Sequence, residues 1–172
     1  TGDYDFVDSD TMRKKYPMTG TYSDVDINFR SSSINSVTSM VLDEKTESRR
    51  STNNLPDIIN QLLIDIQALD DAEIAAAVRE HPEFSGKELH VNERMSRFTR
   101  AFDKMFDKLR YKRIINKNGK KVILFEKNGK EIPIEALSSG EKQIVYRGCF
   151  LLKDVDATKG AFVFIDEPEI SL

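Results

Sequence analysis

Two Asn-Gly pairs, Asn118-Gly119 and Asn128-Gly129, constrain this chain more than any other feature. Each is flanked by lysines and set between runs in which polar and apolar residues alternate. Both central residues of a type I′ turn need positive φ, which Asn and Gly adopt at least cost, so each pair predicts a two-residue hairpin. Residues 111–116, 121–127 and 131–134 then become three short strands of a meander occupying 111–135. Before Arg110 the apolar residues recur at helical spacing instead, so the sheet is joined to a helical subdomain over 55–110.

In that subdomain Ile58, Ile59, Leu62, Leu63, Ile66 and Leu69 line one face of a long helix, with Asn54 placed to cap it and Pro56 in its first turn. Residues 71–79 predict a second helical piece closed by His81-Pro82. Val91, Met95, Phe98, Phe102, Met105, Phe106 and Leu109 mark a further amphipathic helix, and the two stripes pack on each other as core. Residues 1–42 read as an antiparallel β portion. Asp3, Asp5, Asp8, Asp10, Asp24 and Asp26 interleave with aromatics, and Val25, Ile27 and Phe29 alternate with polar neighbours. A turn is expected over 17–20 and a return strand over 34–42. Residues 43–54 contain no apolar side chain and are expected to form an exposed, mobile loop.

The balance of residue types narrows the class. Of 172 residues 39% are hydrophobic and 32% charged, with a net charge of −3, which excludes a disordered tail and a uniformly basic nucleic-acid coat. Cys149 stands alone, so no intramolecular disulfide framework can form. No wholly apolar stretch exceeds five residues, as at 161–165, far short of the roughly 20 residues of a membrane helix. With no basic-then-apolar leader, a cytoplasmic location without a membrane partner is expected.

Two segments carry chemistry. Residues 136–143 (ALSSGEKQ) hold Ser138 and, three positions on, Glu141: a capping box that starts a helix running to about Lys153, with Ile144, Val145, Cys149 and Leu152 inward. Ser138, Ser139 and Gly140 offer two hydroxyls, open backbone N–H groups and the positive end of a helix dipole, the parts of an anion site that a phosphate fits. Residues 161–167 (AFVFIDE) read as a central parallel strand, buried on both faces, whose carboxyl end delivers Asp166 and Glu167. Two such acids suit a Mg²⁺-nucleotide, one supporting the metal and the other orienting or deprotonating a water. Taken singly, the first motif is an ordinary cap and the second a strand leaving into an acidic loop.

Signature-like loop, helix, short turn over 154–160 and strand with two acids follow in the order found in ABC-type ATPases, which this segment resembles. The resemblance covers 132–172 and is closest to the non-transporter branch: chromosome-maintenance and RecF-like heads, and bacterial ATPases of the overcoming-lysogenisation-defect and phage-defence type. It implies an α/β fold, a fragment of an ABC-type P-loop NTPase head with an antiparallel β portion, a helical subdomain and a Walker B strand. Leu137-Ser138-Ser139-Gly140-Glu141 would be the signature motif, residues 162–166 with Glu167 the Walker B motif, and 168–172 the start of the D-loop, so that 136–172 forms one unit.

The family's mechanism then implies a homodimer with ATP sandwiched head to tail. Ser138 and the N–H groups around Ser139 and Gly140 would touch the γ-phosphate held by the other subunit, with Glu141 part of the same nucleotide-binding signature. Asp166 would support Mg²⁺ through water, and Glu167 would be the general base. The commonest signature has Gly where Ser139 stands and often Gln where Glu141 stands. A Gly-x-x-x-x-Gly-Lys-[Ser/Thr] loop is absent, since Gly86-Lys87, Gly119-Lys120 and Gly129-Lys130 all fail the pattern. His81 and His90 precede the signature and cannot be the switch histidine, and no glutamine is assigned to the Q-loop. The segment alone is therefore expected not to turn over ATP, the parent protein being the ATPase; the alternative is a non-hydrolysing ATP-binding or regulatory module. A transporter subunit ranks last, because a long helical insert and a lysine-rich meander precede the signature. Lys104, Lys108, Arg110, Lys112, Arg113, Lys117, Lys120 and Lys121, with Asp107 alone among them, read either as a solvated face or as a track for a nucleic-acid backbone. The resemblance adds an attached effector as a second kind of partner.

Overall fold

The computed structural model describes residues 20–23, 32–40, 42–43, 54–83, 93–154 and 162–165, of which 20–23 and 162–165 are described as backbone. It is a mixed helix-and-strand protein. Helix α1 spans Leu55–Glu80 as one continuous element. The expected break at Asp71 is absent because 68–74 contains neither Gly nor Pro, and a Gln67 Nε2–H bond to Asp71 Oδ1 (2.8 Å) spans the junction. Asn54 occupies the N-cap position, but its side chain makes no capping bond; Asp57 in the first turn complements the dipole instead. At the far end His81 donates its N–H to Ala77, and Pro82 disfavours helical backbone at the residue before it.

Helix α2, Ser96–Met105, is shorter than its apolar stripe suggests. Phe106 is already extended (φ −126°, ψ 131°) and Leu109 belongs to the next strand, while Val91 lies outside the described residues. Strands β2 (Leu109–Lys117), β3 (Lys120–Lys127) and β4 (Lys130–Pro133) form the antiparallel meander in that order. Both turns carry the positive φ pair their sequence demands: 54° and 75° at Asn118-Gly119, 51° and 76° at Asn128-Gly129. A short 3₁₀ turn, Ile134–Ala136, leads into helix α3, Ser139–Leu152.

One core joins these pieces. Leu55, Ile59, Leu62, Leu63 and Ile66 of α1, Phe98 and Phe102 of α2, Leu109, Ile123 and Phe125 of the sheet and Val145, Tyr146 and Cys149 of α3 are all buried. Phe125 sits at its centre, tilted against Phe102 (5.8 Å) and edge-on to Tyr111 (6.0 Å).

Strand β5, Phe162–Ile165, pairs in parallel with β1, Gly20–Ser23, in the register Gly20↔Phe162 to Ser23↔Ile165. This corrects the reading of 1–42 in two places. Gly20 lies in a strand, not a turn, and its partner is parallel and distant in sequence, a pairing that alternation within a short segment cannot reveal. Nor do the described residues of 34–42 form a return strand. Residues 32–40 carry no ladder, because side chains of α1 take up their amides: Ser32 N–H donates to Asp57 (2.6 Å), and Thr38 N–H (2.8 Å), Met40 N–H (3.0 Å) and the Thr38 hydroxyl donate to Asp65. Ile34 C=O accepts from Lys121 N–H (2.8 Å), which ties the segment to the sheet. The rest of 1–42, most of the expected loop over 43–54, residues 84–92, 155–161 and 166–172 lie outside the described residues.

Candidate functional site at the start of helix α3

The chain reaches the site through extended backbone. Leu137 is buried, and Ser138 (φ −62°, ψ 162°) takes the N-cap position before α3 begins at Ser139. The expected capping box is present. Ser138 Oγ accepts the Glu141 N–H (3.3 Å), while the Glu141 carboxylate accepts Ser138 N–H (2.9 Å) and Ser138 Oγ–H (2.8 Å). Ser138 and Ser139 are exposed; Gly140 and Glu141 are half-buried. The first amides of a helix have no acceptor within it, so the N–H groups of Ser139 and Gly140 belong to the orphan donors of α3.

A fifth residue belongs here that sequence reading missed. Lys127 Nζ stands 2.7 Å from Glu141 Oε1 and 2.9 Å from Oε2. Its position follows from the second Asn-Gly turn, which pairs Lys127 with Lys130, and from the shortness of β4, which brings the chain back beside the end of β3 before α3 starts. Burial pushes the Glu141 carboxyl up, but the Lys127 ammonium and the two bonds from Ser138 outweigh it and hold the group below the usual glutamate value of 4.5. The only sequence signal was the fixed hairpin register, which becomes informative once the path to α3 is known.

The other end of α3 is held as firmly. Arg97 of α2 donates to the carbonyls of Leu152 (3.1 Å) and Lys153 (3.3 Å) and pairs with Asp43 (2.7 Å), whose own N–H donates to Lys153 C=O (3.0 Å). A cation at the carbonyl end complements the helix dipole. Between the two ends, Cys149 is fully buried, and burial pushes its thiol far up, so it packs as an apolar residue. Ile144 and Leu152, expected inward, are half-buried.

Asp166 and Glu167, expected to work with Ser138–Glu141, follow β5 in the sequence and lie outside the described residues. Among the described residues no group of three or more His, Cys, Asp or Glu is arranged to hold a metal ion. His81 lies at the exposed end of α1, 3.4 Å from Glu83; His90 lies outside the described residues.

The eight cations expected to act together are spread over α2, the loop after it and both edges of the β2–β3 hairpin. Three are paired with acids: Arg110 with Asp103 (3.3 Å), Lys112 with Glu126 (2.7 Å) and Arg113 with Glu131 (3.0 Å). Lys117, Lys120 and Lys121 border a cavity of about 530 Å³ whose apolar walls include Ile34, Ile64 and Ile115. No described helix is long and apolar enough to cross a membrane. Comparison with protein-family models, curated proteins and solved structures finds no significant match in any of the three.

Proposed function

We propose that this chain is part of an ABC-type ATPase that binds and hydrolyses ATP at a head-to-tail homodimer interface and couples the cycle to a nucleic-acid or effector partner. The observation that carries the reading is the start of α3: a capping box that leaves the Ser139 and Gly140 amides at the positive end of a helix clamped at both termini, beside an exposed Ser138 whose hydroxyl is held by Glu141. The parallel pairing of β5 with β1 supports it, because the ligand crevice of parallel sheets lies at the carboxyl ends of their strands.

On this reading the Ser138 hydroxyl and the two amides bind the γ-phosphate of ATP carried by the second copy, and a rigid α3 keeps them from yielding as charge shifts in the transition state. Glu167 takes the proton of the attacking water. Mg²⁺, expected on Asp166, neutralises phosphate charge when bound. Because one copy completes the other's site, turnover depends on dimerisation.

The test is Glu167→Gln in the protein with its flanking sequence. Loss of the base is expected to slow ATP hydrolysis on the order of 10²–10⁴-fold and to trap an ATP-bound dimer visible by light scattering. Unchanged turnover would refute the catalytic reading. ATP binding without turnover in the unaltered protein would instead favour the non-hydrolysing regulatory module.

A further inference from the structure

Resting on that reading of the site, we propose that Lys127 is a positioning residue of the phosphate site: it neutralises the Glu141 carboxylate, which would otherwise face the incoming γ-phosphate as an unscreened negative charge. The capping box has a cost in such a site. Glu141 takes Ser138 N–H and the Ser138 hydroxyl, so its carboxylate lies directly against donors that a phosphate must reach. A site built on glutamate therefore needs a counter-ion, and the geometry supplies one. Lys127 contacts both carboxylate oxygens, at 2.7 and 2.9 Å, from the end of a strand whose register the Asn128-Gly129 turn fixes. The Glu141 side chain is only 19% exposed, so water does little of the screening. Glutamine at position 141 would keep an oxygen for Ser138 and need no cation.

Lys127 is 37% exposed, so its substitution leaves the core intact. In the protein with its flanking sequence, Lys127→Met is expected to raise KM for ATP roughly tenfold to a hundredfold with much less change in kcat, as uniform repulsion of a bound anion predicts. Lys127→Arg should keep KM within about threefold of the unaltered protein, because the charge is retained. The decisive variant is Lys127→Met combined with Glu141→Gln. Removing the charge that needed neutralising should recover most of the lost KM relative to Lys127→Met alone, the non-additivity expected of a coupled pair.

A double variant as impaired as Lys127→Met would overturn the counter-ion role and leave Lys127 a structural tie. A second readout needs no nucleotide: carboxyl ¹³C NMR should show Glu141 titrating at higher pH in Lys127→Met, and an unmoved titration would overturn the pairing itself. Absence of ATP turnover in the unaltered protein would overturn the ATPase reading, and this role with it, whatever the titration shows.

Discussion

Asp70 tests how the helices are joined. It is 1% exposed on α1 and accepts Met95 N–H (2.8 Å), Arg94 N–H (3.0 Å) and Arg94 Nη1–H (3.2 Å). Met95, at the N-cap position of α2, provides no side-chain cap, so a carboxylate from another helix does that work. Asp70→Ala leaves the amide of buried Met95 without its acceptor, at about 2 kcal/mol, and the half-exposed Arg94 amide without its own, at about 1 kcal/mol. The guanidinium loses less, because Glu73 still holds it at 2.6 Å. The sum is about 3 kcal/mol. In a protein of this size each kcal/mol moves Tm by roughly 2–4 °C, so scanning calorimetry should show a fall of about 6–12 °C. Hydrogen exchange at the Met95 amide should accelerate in parallel. Asp71→Ala, next along but exposed and bonded to Gln67, is the control and should change stability by less than about 0.5 kcal/mol. A Tm within about 2 °C of the unaltered protein, with exchange at Met95 unchanged, would refute the idea that Asp70 caps α2.

Other outcomes follow from the same geometry. Because the Glu141 carboxyl is held below its usual 4.5, its contribution to stability is full above its unfolded value and disappears as pH falls through the lowered folded value. The Tm deficit of Glu141→Gln should therefore shrink as pH falls below 4.5, and a deficit that stays constant on acidification would contradict the assignment. Gly129 has φ +76° with open space around its missing Cβ, so Gly129→Ala should cost about 1 kcal/mol of backbone strain without a packing defect; thermal melting within about 1 °C of the unaltered protein would count against the turn assignment. Arg97→Ala removes the cation from the carbonyls of Leu152 and Lys153 and should fray the end of α3, read as faster amide exchange over 149–153. Equal exchange there would show that Asp43 N–H suffices.

The meander, the capping box and the apolar faces of the helices were legible because their causes are local. Asn118-Gly119 and Asn128-Gly129 need positive φ whatever surrounds them, and Ser138 with Glu141 closes a ring across one helical turn. Other features needed the fold. Asp57, Asp65 and Asp70 look in the sequence like the wet side of an amphipathic helix, yet each captures backbone from a segment more than twenty residues away. A carboxylate's partners are set by what packs over it, and no periodicity records that. Alternation shows that a strand has two unlike faces, while hydrogen bonding along its edges decides which strand lies beside it; hence an antiparallel portion was expected over 1–42, where residues 20–23 instead lie parallel to β5. Lys127 makes the same point at the site. Its charge is plain in the sequence, but it becomes the partner of Glu141 only because a four-residue strand and a 3₁₀ turn fold the chain back by that distance. Bonds that close within one turn of chain are written in the residues themselves, and those between distant segments exist only once packing has brought their ends together.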